Sequence, residues 1–466
     1  MTNEAPINFE FTPSQKIADQ KIREFLKKPI TDFDSKVLVL TGGAGTGKST
    51  ILKYSLSDYL REDLNNEEYD EDSFGENFGS YIPNVFGVTV SHKAKNILRR
   101  SIPNCGTYVN YFGLSPDYNR DGSVTFVKKP RNPNSTKIPP HELPFQIVVH
   151  DEVSMYDMRD IHNLEMYTHP SSKIILVGDI NQLPPIAEKG QFVSDMDSPI
   201  FTYFENVVEL KEPVRQTLGN PILEIAREII EEIQTGKNFD RIMDLIKEDS
   251  FSDGIGHRYI KRGNMISDFI SEYQSDNDTR VISYYNDTVK KINNTIRKKM
   301  FNNPTDKFVV GDAIYLNDTY ESPEYKYNFY NSEEFIIKDL SRCKVSDHGI
   351  LCYKAYVDQE RPEGINIVHE SNEAKFMKIF KEKKAALKTA TGKQRYFKGK
   401  DLSDFRRAFG NVSYGYDFTA YKAQGSGFKN VFTDIIDIET SALTDKRKLQ
   451  TLYTSITRAT HQVIFF

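Results

Sequence analysis

The sequence predicts an α/β protein of several domains, with its chemistry on loops that leave the carboxyl ends of parallel strands. Three observations carry this expectation. Short β-branched runs recur at residues 37–40, 85–90, 147–149, 174–177, 281–284, 431–435 and 463–466. Amphipathic stretches such as residues 220–233 and 287–300 lie between them, and that alternation is the pattern of buried parallel sheets. At 466 residues the chain exceeds what one hydrophobic core organises, so about two to four domains are expected.

The first strand run, Val37 to Leu40, enters "TGGAGTGKST", residues 41–50. Gly42, four residues, then Gly47, Lys48 and Ser49 is the P-loop spacing. Glycines free the backbone so that successive N–H groups face phosphate oxygens at a helix N-terminus. Gly42, Gly43, Ala44, Gly45, Thr46, Gly47, Lys48, Ser49 and Thr50 are therefore expected to line a nucleotide. Lys48 would reach the β and γ phosphates, and the Ser49 hydroxyl would ligate Mg²⁺.

The run at 147–149 ends in "HDEVSM", placing adjacent carboxylates at a strand end. Asp151 is suited to hold Mg²⁺, and Glu152 to take a proton from the attacking water or to orient it. The run at 174–177 enters "VGDINQLPP", residues 177–185, where the Gln182 amide is expected to meet both the γ-phosphate and the water. His150, before the acidic pair, reads as a packed strand residue rather than a catalyst.

Two stretches interrupt the α/β rhythm. Residues 108–143 are rich in Pro, Asn, Asp, Gly and Lys, and "YNRDGSVTF" reads as a hairpin around Asp121 and Gly122. Residues 300–408 begin with turn-rich alternating segments and end in a basic, helix-like run. The α/β pattern resumes after each, so both read as insertions.

Composition narrows the function. With 38% hydrophobic and 27% charged residues the chain is globular. It has no run of the roughly 20 apolar residues that a membrane span needs, and residues 1–10 lack a signal-peptide pattern. A cytoplasmic protein without membrane contact is expected. Cys105, Cys343 and Cys352 lack metal-ligand spacing and suit a reducing compartment. The net charge of −5 requires any polyanion site to be a local groove. Charge is uneven: residues 62–76 hold eight acids and no Lys or Arg, while residues 375–407 hold twelve Lys or Arg against three acids. In the second run Phe376, Phe380, Tyr396, Phe397 and Phe405 interleave the charge, as on nucleic-acid surfaces.

These motifs, in this order, resemble those of superfamily-one helicases of the RecD and Dda type, from residue 11 to residue 466. The resemblance implies two RecA-like parallel-sheet motor lobes: residues 1–107 with 144–218, and residues 219–299 with 409–466. It also implies a strand-separating pin within 108–143, with Phe126 at its tip. Residues 300–408 would be an SH3-like accessory domain with a projecting basic arm, meeting the motor at "NFYNSEEF", residues 328–335.

Residue by residue, "FTPSQK" resembles the glutamine motif, so Gln15 would read adenine. "VTVSHKAKNIL" would bring Ser91 and His92 to the DNA backbone, and "LKEPVRQ" would offer Arg215 to the γ-phosphate. "DFTAYKAQGSGF" would turn Thr419, Tyr421 and Lys422 toward DNA and Gly425 toward nucleotide. "LYTSITRAT" would supply Arg458 as arginine finger. Tyr421 stands where the family commonly has His, and Val109 where it often has a polar residue, so Val109 is given no DNA role.

The implied activity is ATP- and Mg²⁺-dependent translocation on single-stranded DNA with unwinding of duplex, 5′ to 3′ by resemblance alone. The implied partners are single-stranded DNA and duplex junctions, together with single-strand-binding or replication proteins, for a chain working as a monomer. An RNA-directed or dual-specificity helicase, and a nucleotide-dependent replication scaffold, are the alternative readings.

Overall fold

The computed structural model describes residues 11–64, 82–118, 124–128, 138–185, 197–214, 219–236, 238–322, 328–345 and 348–466. Arg215, the turn at Asp121 and Gly122, and most of the acidic run lie outside the described residues.

The first sheet has six parallel strands in the order Cys105–Thr107, Val85–Thr89, Ile147–His150, Lys173–Gly178, Val37–Gly42, Val207–Leu210. Val37–Gly42 lies between Lys173–Gly178 and the edge strand Val207–Leu210, and every residue of it is buried, as a strand covered on both faces must be. Its side chains alternate between two cores. Leu38 and Leu40 join Ile175, Val177, Ile51 and Ala18 on one face, while Val37 and Val39 join Ile174, Leu176, Phe86 and Phe112 on the other. Because all these strands run the same way, Gly42, Thr89, His150, Gly178 and Leu210 end at one edge of the sheet.

The second sheet also has six strands, ordered Asp417–Thr419, Thr279–Ser283, Phe428–Thr433, Ala459–Phe465, Ile255–Tyr259, Ser250–Ser252, with only the last pairing antiparallel. The amphipathic stretch at 220–233 is the helix Pro221–Thr235. Asn220 caps it by accepting from the N–H groups of Ile222 and Leu223, Pro221 fits its first turn, and Gly236 closes it at φ 66°. The stretch at 287–300 is the helix Asn286–Met300. The run expected to extend to Ile435 stops at Thr433: the Asp434 carboxylate accepts from Asp437 N–H at 3.0 Å and starts a short helix instead.

Within 108–143, Leu114–Tyr118 and Val124–Lys128 pair antiparallel, with Pro116 opposite Phe126. Lys128 fastens the base of this ribbon through its ammonium to Phe112 carbonyl at 3.2 Å. Residues 300–408 form short antiparallel sheets around one core that includes Phe308, Leu316, Phe329, Tyr353 and Ile367. Val412–Tyr414 returns to pair with Ala313–Leu316, which ties this unit to the second lobe.

The basic run is a pair of helices, Glu373–Thr389 and Gly392–Arg407. Its five aromatic residues divide. Phe376, Phe380 and Phe405 pack inward, with Phe376 and Phe405 rings 5.2 Å apart, whereas Tyr396 and Phe397 are 61% and 64% exposed. Three of the five are therefore core, and they cannot serve as a stacking surface. No helix among the described residues is long and apolar enough to cross a membrane.

Candidate nucleotide cleft and strand groove

At the edge where the first-sheet strands end, residues 42–47 form a loop in which Gly45 and Gly47 take φ of 73° and 84°. Gly47 caps the helix Lys48–Ser55. A Cβ there would stand 2.5 Å from the Gln15 amide nitrogen, so space and dihedral both require glycine. Gln15 sits in the capping box of the helix Pro13–Lys27. Its Oε1 accepts from Thr12 N–H at 3.1 Å and its Nε2 donates to Thr46 carbonyl at 2.9 Å. In this arrangement it braces the loop. Lys48 Nζ donates to the carbonyls of Gly42 and Gly43 at 2.6 and 3.1 Å. Ser49 is exposed on the first helical turn.

Asp151 and Glu152 follow the next-but-one strand. Desolvation, then the charge of Glu152, push the Asp151 carboxyl up to about 7, while the ammonium of Lys48 opposes them. Glu152 N–H donates to Asp151 Oδ1 at 2.9 Å, and Glu152 takes φ 58°. A left-handed backbone at a residue other than glycine is strained, and such strain gathers at functional sites. His150 is fully buried; its Nδ1 meets the Tyr156 hydroxyl at 3.0 Å, and burial lowers its pKa to about 3. It is a neutral, packed strand residue.

The loop after Lys173–Gly178 is the seam between lobes. Asp179 Oδ1 accepts from the backbone and side-chain nitrogens of Asn181, and Asp179 Oδ2 accepts from the Tyr453 hydroxyl at 2.6 Å. Leu183 N–H donates to Thr454 Oγ1 at 3.2 Å, and Gln450 Nε2 to Ile180 carbonyl at 3.3 Å. Gln182 is buried, and among the described residues its Oε1 has no hydrogen-bond partner. A buried amide oxygen left open is costly unless something fills its coordination.

The second lobe faces this edge with the helices Pro221–Thr235 and Asp445–Ile456. A cavity of about 400 Å³ lies between the helix Pro221–Thr235 and the loop, bounded by Gly43, Ala44, Thr46, Leu223, Arg227 and Ile230. Arg458 is buried. Its guanidinium donates to Thr454 carbonyl at 3.1 Å, Ser426 carbonyl at 3.4 Å and Thr457 Oγ1 at 3.2 Å, and its charge acts on Tyr453. Arg227 and Tyr453 were missed by sequence reasoning: Arg227 is one charge on an amphipathic helix, and Tyr453 lies inside "LYTSITRAT", of which only Arg458 was given a role.

A second cavity, of about 270 Å³, opens between both lobes and the inserted β unit. Ser91, Lys93, Asn317, Asn331, Tyr421 and Lys422 are among its walls. Ser91 and Thr419 cap the short helices that follow them, accepting from Ala94 N–H at 3.2 Å and Lys422 N–H at 3.3 Å. Lys422 Nζ donates to Asn317 Oδ1 at 3.1 Å and to the Tyr315 hydroxyl.

Two placements differ from expectation. One face of the His92 ring is covered by Tyr330, with centroids 4.0 Å apart, so His92 serves the junction with the inserted unit. Gly425, expected beside nucleotide, lies against Ala94, where a Cβ would stand 3.1 Å from its Cβ and 4.0 Å from Ser91 Oγ. A left-handed φ of 68°, together with that close approach, is what needs glycine there.

Lys93 and Glu334 pair, and Arg280 binds the other Glu334 oxygen at 2.8 Å, so one carboxylate joins three parts of the chain. Phe126 is 53% exposed and is not a core residue.

Two parallel-sheet lobes with a P-loop on one are the frame of a helicase motor, and nearly the whole chain is similar to superfamily-one helicases of the Dda type and shares the fold of Pif1 helicases. Residues 23–251 match the AAA domain family, and residues 414–466 match the UvrD-like helicase C-terminal domain. Over 460 residues, 92% of this chain and 94% of the relative, it is 26% identical to the ATP-dependent DNA helicase dda of Enterobacteria phage T4. An uncharacterized protein of Acanthamoeba polyphaga mimivirus is 22% identical over 98% of this chain and 99% of its own. In fold, a Pif1 helicase solved for DNA unwinding at forked dsDNA by two coordinating Pif1 helicases matches with a TM-score of 0.50 at 16% identity, covering 98% of this chain and 92% of that one.

Proposed function

We propose that this protein hydrolyses ATP to translocate along single-stranded DNA and unwind duplex DNA, moving 5′ to 3′. The observation that carries this reading is the seam that borders both cavities. Asn181 lines the cavity beside the phosphate loop, and Leu183, two residues on, accepts at its carbonyl from Gln424 Nε2 at 3.3 Å, a residue that lines the strand groove. A change of grip on nucleotide therefore has a short mechanical route to the polymer.

Lys48 and the loop amides bind the phosphates, with Gln15 bracing the loop beside adenine. Glu152 is the base and Gln182 positions water. Arg458, joined by Arg215, stabilises the charge that develops on the transferring group. The Ser49 hydroxyl and Asp151 carboxylate are hard oxygen donors that fit Mg²⁺, which would neutralise phosphate charge there. Ser91, Thr419, Tyr421 and Lys422 hold the strand, and Phe126, exposed on the middle rung of its ribbon and not at the tip as the resemblance implied, separates the duplex.

A strand-displacement assay with duplexes bearing 5′ or 3′ single-stranded tails tests the reading. ATP-dependent opening of the 5′-tailed substrate is the expected result; opening of the 3′-tailed one alone overturns the direction, and no opening of either overturns the function.

Two further outcomes are expected. If about four phosphates are held, affinity for single-stranded DNA falls tens-fold between about 50 and 200 mM salt, because counterion release sets the slope. A titration that is flat with salt sinks the phosphate-clamp account. Phe126→Ala lowers unwinding several-fold while single-strand-stimulated ATP hydrolysis stays near the parent value, since an exposed ring contributes little to the core. Equal loss of both activities overturns the pin assignment.

A further inference from the structure

The Tyr453 hydroxyl holds two groups that belong to the other lobe. Ala44 N–H, one of the loop amides that would face phosphate, donates to it at 2.7 Å, and it donates to Asp179 Oδ2 at 2.6 Å. Tyr453 is fully buried, so neither bond is shared with bulk water. A Cβ at Gly43 would stand 3.4 Å from the hydroxyl, which places the oxygen against the loop itself. The ring is carried by the helix Asp445–Ile456, whose Gln450 and Thr454 bond the Ile180–Leu183 segment. Burial and the Asp179 charge raise its pKa well above the ordinary tyrosine value, so the hydroxyl keeps its proton.

We infer that Tyr453 is a positioning residue that reports phosphate occupancy of the loop to the second lobe. The inference rests on the ATP-binding reading above. A backbone N–H makes one strong hydrogen bond. A phosphate oxygen that takes the Ala44 N–H displaces the tyrosine hydroxyl, and the hydroxyl moves only with its helix. That helix leads through Thr457 to Arg458 and, by Ser426, to the strand groove. Phosphate and lobe contact thus compete for a single donor, and the competition couples nucleotide to DNA.

Tyr453→Phe keeps the ring and removes both bonds, which separates this role from simple packing. Loss of packing weakens nucleotide binding. Loss of a competitor strengthens it, by about five-fold, the equilibrium worth of one net hydrogen bond. The experiment measures the affinity of a fluorescent ATP analogue and the ratio of DNA-stimulated to unstimulated ATP turnover in parent and variant. It adds hydrogen exchange of the 42–47 segment without nucleotide in parent and variant, and the parent's value tests the inference even where the variant fails to fold. Tighter analogue binding, a several-fold smaller stimulation ratio, and Ala44 amide protection that the variant loses are the expected results.

Unchanged or weaker affinity in a variant that melts as the parent does overturns the inference, as does an unprotected Ala44 amide in the parent. A parent that binds no ATP analogue, or whose turnover ignores DNA, overturns the helicase reading instead.

Discussion

Lys48→Ala lowers ATP turnover on the order of 10²–10³-fold, the cost of removing one preorganised charge from a phosphoryl-transfer site. The ammonium is held over the loop by the carbonyls of Gly42 and Gly43, and its charge favours the ionised form of Asp151. Its bonds are to the loop alone, so the hydrophobic cores on either face of the first sheet are untouched and the melting temperature stays within a few degrees of the parent. Steady-state phosphate release and a thermal melt check this together. Turnover retained at the parent rate places the hydrolytic site elsewhere, and a collapsed melt makes Lys48 structural.

Glu152→Gln is expected to keep nucleotide bound while slowing hydrolysis about 10²–10⁴-fold, the range associated with loss of a general base. The substitution preserves volume and leaves the backbone bond from residue 152 to Asp151 Oδ1 available. It also retains φ near 58°, since that dihedral is imposed by the turn rather than by the carboxylate. Single-turnover hydrolysis beside equilibrium binding of an ATP analogue separates the steps. If hydrolysis persists unchanged, another group activates the water; if binding is lost with it, Glu152 supports the nucleotide rather than the attack.

Some of this site was legible because it is written in consecutive residues. The P-loop spacing, the acidic pair after a strand and the Gly-Asp turn at 178–179 each need only local geometry, and each stands at the same sheet edge in the structure. The helix Pro221–Thr235 was legible as an amphipathic stretch over 220–233, and in the structure an Asn cap, a Pro first turn and a left-handed Gly bound it. His150 could be read as core because a histidine amid Ile-Val-Val shares the burial of its neighbours.

Other features depended on which way a side chain turned. Phe376 and Tyr396 lie in equally basic surroundings, yet one is packed against Phe405 and the other faces solvent. His92 follows the helix-capping Ser91 and was read toward DNA, but Tyr330, more than 200 residues later, covers its ring. The resemblance placed residues 328–335 at the junction with the motor, but only the fold shows Glu334 there with Lys93 and Arg280 at its two oxygens.

The sequence by itself determined the α/β alternation, the phosphate-loop spacing and the candidate hydrolytic groups, because short-range spacing and short, continuously apolar strand runs fix them wherever the strands are placed. Only the tertiary structure decided the seam. The Tyr453 hydroxyl meets Ala44 and Asp179 across separations of 409 and 274 residues. A contact of that kind is set by how two lobes pack, and no local pattern encodes it.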